Sequence, residues 1–238
     1  MEATFKLGTI AADLVRKDIK NVHLSVYPPA GRVRISAPLR MNVETVRAFA
    51  VSKLGWIKAQ QRSILAQERE TPREYLERES HYVWGKRYLL QISERNEAPR
   101  IELKERRLAM ELRPGTALER REEILEAWYR AQLREAATAL ITKWEPRLGV
   151  KVDKLFIQRM KTKWGSCSRA SQAIRLNTEL AKKPRECLEY IVIHEMVHLL
   201  EPNHGKGFIE RVERAMPLWR QYRRMLNHLP VRHEDWLY

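Results

Sequence analysis

The sequence predicts an α+β protein: a β-rich region over roughly residues 1–115 that contains one long helix, then a helical unit over roughly 116–238 with a small edge sheet. Three observations predict it. Short runs of period-two alternation recur as far as residue 112, runs of helical period dominate after residue 116, and Pro114-Gly115 separates the two regimes. A chain of 238 residues is long enough for one sizeable core, or for a compact domain with a smaller companion. Seven Trp, eight Tyr and abundant Leu, Ile and Val supply the apolar surface that a disordered chain lacks.

Alternation begins at Val22-His23-Leu24-Ser25-Val26-Tyr27, turns at Pro28-Pro29-Ala30-Gly31, and resumes at Val33-Arg34-Ile35-Ser36. Asn42 is placed to cap a helix whose apolar face is Val43, Val46, Phe49, Ala50, Leu54 and Ile57. The charged residues 67–78 read as its exposed continuation or as a linker. Further strands are expected at residues 82–84, 88–92, 101–103 and 108–112. Thr116 and Glu119 have capping-box spacing and open a helix that buries Leu118, Leu125, Trp128, Leu133, Leu140 and Trp144 and ends near Pro146 and Gly149. Strands follow at residues 155–157 and 173–177, with Lys163-Trp164-Gly165-Ser166-Cys167-Ser168 as a turn-rich segment between them. A helix runs from near Pro184 through Leu200, and Pro202 ends it. Another covers about 207–215, and Pro217 breaks it before a last helix over 219–229. No internal repeat or low-complexity tract is visible in the sequence.

Charge and cysteine usage narrow the setting. The net charge is +15, and residues 151–238 hold 17 basic and 10 acidic side chains, so about half the excess lies on each side of residue 150. A basic surface this diffuse keeps a protein dispersed and attracts nucleic acid without specifying it. No apolar run approaches the roughly 18 residues of a membrane span, and residues 1–6 lack a signal-peptide core. Two cysteines, Cys167 and Cys187, cannot make a disulfide framework, so a cytoplasmic location is expected.

The sharpest feature is His194-Glu195-Met196-Val197-His198. Four residues apart on a helix, the two imidazoles project from one face and can bind one ion. Zinc suits neutral imidazole nitrogens, and Glu195 can reach a water on that ion as general base without being a ligand. A catalytic zinc needs a third protein ligand and an open fourth position. His204 follows His198 by six residues, behind the helix-ending Pro202 and between turn-forming Asn203 and Gly205. That spacing equals the one in H-E-x-x-H-x-x-G-x-x-H, but the glycine position is Glu201 here, so the turn must differ. With seven histidines, a bare H-E-x-x-H arises by accident in roughly 2% of such chains, and the added His lowers this below about 0.1%. Glu210 and Glu213 are the alternatives for the third ligand. A metal-free helix would bury these polar groups among Ile191, Val192, Ile193, Met196 and Val197 at considerable cost.

At these residues the sequence resembles the YgjP-like metallopeptidase family, distant relatives of the SprT-like and WLM zinc peptidases. The resemblance is carried by Lys163-Trp164-Gly165-Ser166-Cys167-Ser168, by Ile174-Arg175-Leu176-Asn177 before Leu180, and by residues 190–205 with Phe208. It extends to residues 26–38, 53–57 and 82–90, so it covers most of the chain. It implies a zincin-like core of the minimal gluzincin type, one zinc per chain on His194, His198 and His204, Glu195 as base, and hydrolysis of a protein or peptide substrate. No physiological substrate follows from it.

Other residues keep two readings each. Trp164 to Cys167 shape a substrate-binding edge, or form a tight turn with Trp164 packed in the core. Cys187 packs, while Cys167 is placed to visit a metal as an inhibitory thiolate. Tyr190, Tyr222, Arg159, Lys161 and His228 are all candidates to stabilise an oxyanion; His228 and His233 could also orient substrate near the end of the chain, but surface histidine is the favoured reading of each. The rival function is a basic nucleic-acid-binding protein with a structural zinc, for which Arg87-Tyr88, Lys163-Trp164 and Trp219-Arg220 supply charge beside aromatics. Against it stand the missing fourth ligand and a Glu195 with no task. A peptidase recruited to DNA-processing complexes joins the two readings.

Overall fold

The computed structural model describes residues 2–27, 30–66, 73–160 and 163–229. The turn expected at Pro28-Pro29, residues 67–72 of the charged stretch, Lys161 and His233 lie outside the described residues, as does the side chain of His228. The architecture is mixed α+β. Contacts divide the chain into two compact units, Met1–Arg69 and Glu70–His233.

The first unit is one sheet and two helices. Strands β1 (Glu2–Leu7), β2 (Ile10–Lys17), β3 (His23–Tyr27) and β4 (Arg32–Pro38) are ordered β1-β2-β4-β3, with β2 and β4 parallel and the outer pairs antiparallel. Their alternation buries Ile10, Ala12 and Leu14 on β2 and Val33, Ile35 and Ala37 on β4. Against that face lie Val46, Ala50 and Ile57. The single helix expected here is two, α1 (Val43–Ser52) and α2 (Leu54–Ala66). Asn42 does cap α1, its side chain accepting from the Glu44 amide at 3.0 Å. The break comes at Lys53, whose amide bonds back to Ala50 O at 3.1 Å in a tightened last turn.

The second unit repeats the sheet topology without repeating the sequence. Strands β5 (Ser80–Val83), β6 (Lys86–Glu94), β7 (Arg100–Lys104) and β8 (Arg107–Leu112) are ordered β5-β6-β8-β7, again with the central pair parallel. Trp84 and Gly85 close the β5–β6 hairpin with φ of 50° and 76°, the left-handed pair that a two-residue turn needs. Helix α3 (Leu118–Leu148) follows and ends at Gly149 in the left-handed conformation. The capping box does not form, because Ala117 takes the cap position and the Thr116 hydroxyl donates to Arg113 O at 2.6 Å. Leu125, Tyr129, Leu133, Ala137, Ile141 and Trp144 form the buried face of α3, while Leu118 is exposed. These side chains share one core with Leu90, Leu108, Met110 and Leu112. Residue 115 therefore lies inside the second unit, between β8 and α3.

The small edge sheet has three strands, ordered β10-β11-β9: β9 (Lys154–Gln158), β10 (Gly165–Ser168) and β11 (Ala173–Asn177). The segment read as a turn is thus an edge strand, antiparallel to β11 with Ser166 opposite Arg175 and Cys167 opposite Ile174. A 3-10 turn (Thr178–Lys182) leads to α4 (Arg185–Val197), α5 (Lys206–Ala215) and α6 (Trp219–His228). Helix α4 packs against α3, α5, α6 and β10. Among the described residues, no helix is long and apolar enough to cross a membrane.

Candidate metal centre

From Tyr190 onward helix α4 is apolar nearly all round, as a helix at the centre of a core must be, and His194 and Glu195 interrupt that surface. The helix stops at Val197, three residues before the expected Leu200. The amides of Leu199 and Leu200 reach only three residues back, to Met196 and Val197, as the chain tightens ahead of Pro202. His198 is thus the C-cap, still with helical backbone, so its ring keeps the one-turn offset from His194. The following turn returns His204 to the same place.

All three rings converge through Nε2. The His204 nitrogen lies 3.1 Å from that of His194 and 3.2 Å from that of His198. One ligand atom from each residue falls within 4.8 Å of the others, and among the described residues this is the group able to hold a metal. Tetrahedral zinc with nitrogens at 2.0–2.1 Å separates its ligands by about 3.3 Å, so the residues present fit such an ion. His198 Nδ1 lies 2.9 Å from Glu201 O. A carbonyl only accepts, so Nδ1 carries the proton and Nε2 turns its lone pair inward. The Nδ1 of His194 is buried and meets no acceptor among the described residues. Phe208, itself buried, packs its ring 4.6–4.9 Å from all three imidazoles and fixes their tilt.

Electrostatics favour the neutral ligand state. Burial, then His198, His204 and Arg223, push His194 down to about 3. His204 is lowered as well, by burial and then by His198 and Arg223. An unprotonated imidazole is what a metal requires. Glu195 moves the other way: burial lifts its carboxyl up to about 7, with Lys163 pulling it down. Its position is set by Gly165 on β10, which approaches so closely that a Cβ there would stand 2.7 Å from Glu195 Oε1.

These groups open onto a cleft of about 520 Å³ that β10, α4 and α6 all line. Asn177 secures its near edge: its side-chain amide donates to Met160 O at 2.7 Å and to Lys163 O at 2.9 Å, fixing the chain that enters β10. Arg169, just beyond β10, donates through Nε to Leu199 O at 3.1 Å, which ties the strand's far end to the turn after α4.

The alternative ligands and helpers separate clearly. Glu210 pairs with Lys206 and Glu213 with Arg220, and neither belongs to the metal-capable group. Tyr190 lines the cleft, whereas Tyr222 and Arg159 do not. Cys187 is buried, its Sγ 4.0 Å from Tyr222 O, in keeping with packing. Cys167 lines the cleft, and burial and then Glu195 push its thiol up to about 11, with Arg169 pulling it down. Sequence reasoning missed Arg223 and Asn227, which line the cleft one turn apart on α6. It also missed the clamping role of Phe208, for which the four-residue offset from His204 was the available signal.

The family model described as "YgjP-like, metallopeptidase domain" matches residues 20–229. No curated protein matches the chain. Among solved structures, similarity extends to the metallopeptidase zymogen of Pyrococcus abyssi abylysin, with 21% identity and a TM-score of 0.36 over 40% of this chain and 98% of that one. It extends also to the metallopeptidase zymogen of Methanocaldococcus jannaschii jannalysin, with 22% identity and a TM-score of 0.35 over 38% and 92% of the two chains.

Proposed function

Because the chain belongs to the YgjP-like metallopeptidase family, we propose that it hydrolyses peptide bonds with one zinc ion held by His194, His198 and His204 and with Glu195 as general base. The observation that carries this reading is the convergence of three Nε2 atoms beside a buried carboxyl poised near neutrality. Three histidines leave a tetrahedral ion one open position, the arrangement of hydrolytic rather than structural zinc. When bound, the metal supplies Lewis acidity that acidifies water and polarises a scissile carbonyl.

Glu195 accepts a proton from the attacking water and returns it to the leaving amine, and the burial that lifts its carboxyl makes it a stronger base for the first half of that task. The absence of a side chain at Gly165 leaves the carboxylate the space it occupies. Tyr190, which lines the cleft, is the candidate for donating to the developing oxyanion. The substrate is a protein or peptide entering between β10 and α6, and two free cysteines support a reducing, cytoplasmic setting.

Glu195→Gln tests this directly. The variant is expected to retain zinc and fold while peptidase activity falls by about a hundredfold or more. The assay is run alone, with single-stranded DNA and with double-stranded DNA, because the +15 surface attracts polyanions. Undiminished activity in the Gln variant would overturn the mechanism. Inactivity of both proteins in all three conditions, with tight salt-dependent DNA binding, would favour a binding module instead.

A further inference from the structure

The charges that line the cleft are unbalanced. Lys163, Arg169 and Arg223 contribute three cations, and Glu195 is the one carboxylate among the described lining residues. A divalent metal on the histidines would add to that excess. Lys163 and Arg169 flank β10 at its two ends, and Arg223 projects from α6, so the cations come from separate elements.

Apart from Glu195, whose carboxyl feels the Lys163 charge, nearby acids do not neutralise them. Glu201 pairs with Arg211 at 3.3 Å, Glu210 with Lys206 at 3.8 Å, and Glu213 with Arg220. Arg220 precedes Arg223 by three residues, so the ion pair on this part of α6 goes to the neighbour. Among the described residues, neither Lys163 nor Arg223 has an ion-pair partner. Arg169 spends its Nε on Leu199 O, which leaves its terminal nitrogens for another acceptor. The field of Arg223 reaches His194, His204 and Tyr190. Cations gathered around a cleft repel one another until an anion enters, and low-dielectric walls concentrate that field on the entrant.

We propose that the cleft selects acidic peptides, taking a substrate carboxylate close to the scissile bond with Arg223 and Lys163, assisted by Arg169. The cleavage step rests on the peptidase reading above, while the preference rests on the cleft's own charges. The carboxylate belongs either to an Asp or Glu side chain or to the substrate's C-terminus; both present the same two-oxygen acceptor to a guanidinium.

The test uses the zinc-loaded full chain and quenched fluorescent peptides of one length. They carry Glu, Gln or Lys beside the scissile bond, each with a free or an amidated C-terminus. Binding is read separately by fluorescence anisotropy on the Glu195→Gln protein, which needs no turnover. Glu peptides are expected to show kcat/KM and affinity about tenfold to a hundredfold above Gln peptides, the scale of charged hydrogen bonds. Lys peptides are expected to fall below both, with the gap expressed mainly in KM and narrowing as salt is added. Arg223→Glu is expected to reverse the order without changing zinc content, and Lys163→Gln to shrink the gap. If amidation weakens all three peptides alike, the C-terminus is the source; if the Glu peptide keeps its lead over Gln after amidation, a side chain is, and both results support the preference. Equal kcat/KM and equal affinity for all three side chains, unchanged by amidation, would overturn it and leave the peptidase reading intact. If no peptide is cut, the peptidase reading falls, and anisotropy still decides whether the cleft prefers the acidic peptide.

Discussion

The Glu195 carboxylate fills the space in front of Gly165, where a side chain would otherwise stand: a Cβ at residue 165 would lie 2.7 Å from Oε1, 2.9 Å from Cγ and 3.0 Å from Ile191 Cγ2. Contacts that short must be relieved, and the tip of Glu195 is the part free to yield. Gly165→Ala is therefore expected to retain zinc yet lose about a hundredfold in activity, the effect of an ångström of misplacement in a reacting group. Metal analysis alongside peptide kinetics checks this, and a wild-type rate would show that the carboxylate has room to spare.

His204 sits on the turn after α4, exposed, and of the three nitrogens able to hold a metal its own depends most on loop geometry. His204→Ala is expected to lower bound zinc well below one per chain. Zinc should then raise the melting temperature of the wild type but not of the variant, because metal binding to the folded state adds to its stability. The two proteins should melt together in chelator. Stoichiometric zinc in the variant would remove His204 from the ligand set.

In metal-free protein, Glu195 and His194 act on stability with opposite sign. Glu195 rises from 4.5 to about 7 on folding, so its contribution is full below pH 4.5 and is lost as pH climbs through 7. His194 drops from 6.5 to about 3, so its contribution is full above pH 6.5 and is lost as pH falls toward 3. Between pH 4.5 and 6.5 the two slopes oppose each other. Glu195→Gln removes one of them, and the chelated variant is expected to lose about 1.4 kcal/mol per unit of falling pH across that window. Urea midpoints in chelator measure it, and a variant as flat as the wild type would contradict the assignment.

Limited proteolysis distinguishes the two ways of dividing the chain. Cleavage first within residues 67–78 is expected to leave a fragment starting near residue 70 that retains all three histidines and binds zinc, following the contact division. Cleavage at 96–99, in the loop between β6 and β7, is the second expected site. A stable fragment starting near residue 116 would instead support a division at 115.

What the sequence made legible is whatever depends on local geometry. His194, Glu195 and His198 are set by helix period alone, and His204 by the turn chemistry of Asn203 and Gly205, so all four could be named without coordinates. Strand β10 could not. Gly165-Ser166-Cys167-Ser168 lacks the β-branched and aromatic residues that mark strands, and it is extended because β11 pairs with it. The Thr116 capping box had the right spacing but lost to a competing bond, since the hydroxyl found Arg113 O first. Arg223 lies 19 residues beyond His204, and no periodicity along α6 reveals which of its faces meets the cleft. That choice is made by the packing of α6 on α4.

The β5–β6 hairpin also bears on how the protein is made. At its tip, Trp84 and Gly85 donate their amides to Ala181 O at 2.9 Å and Lys182 O at 3.1 Å, and Arg185 rests over the Trp84 ring. The acceptors immediately precede α4, about a hundred residues downstream. A ribosome adding about 5–20 residues per second delivers the tip several seconds before the segment that receives it. During that interval the two acceptors are absent, and α4 has not yet emerged. The nascent chain therefore carries one half of a clasp before the other exists, and α4 is anchored there only late in synthesis, by a turn laid down long before it.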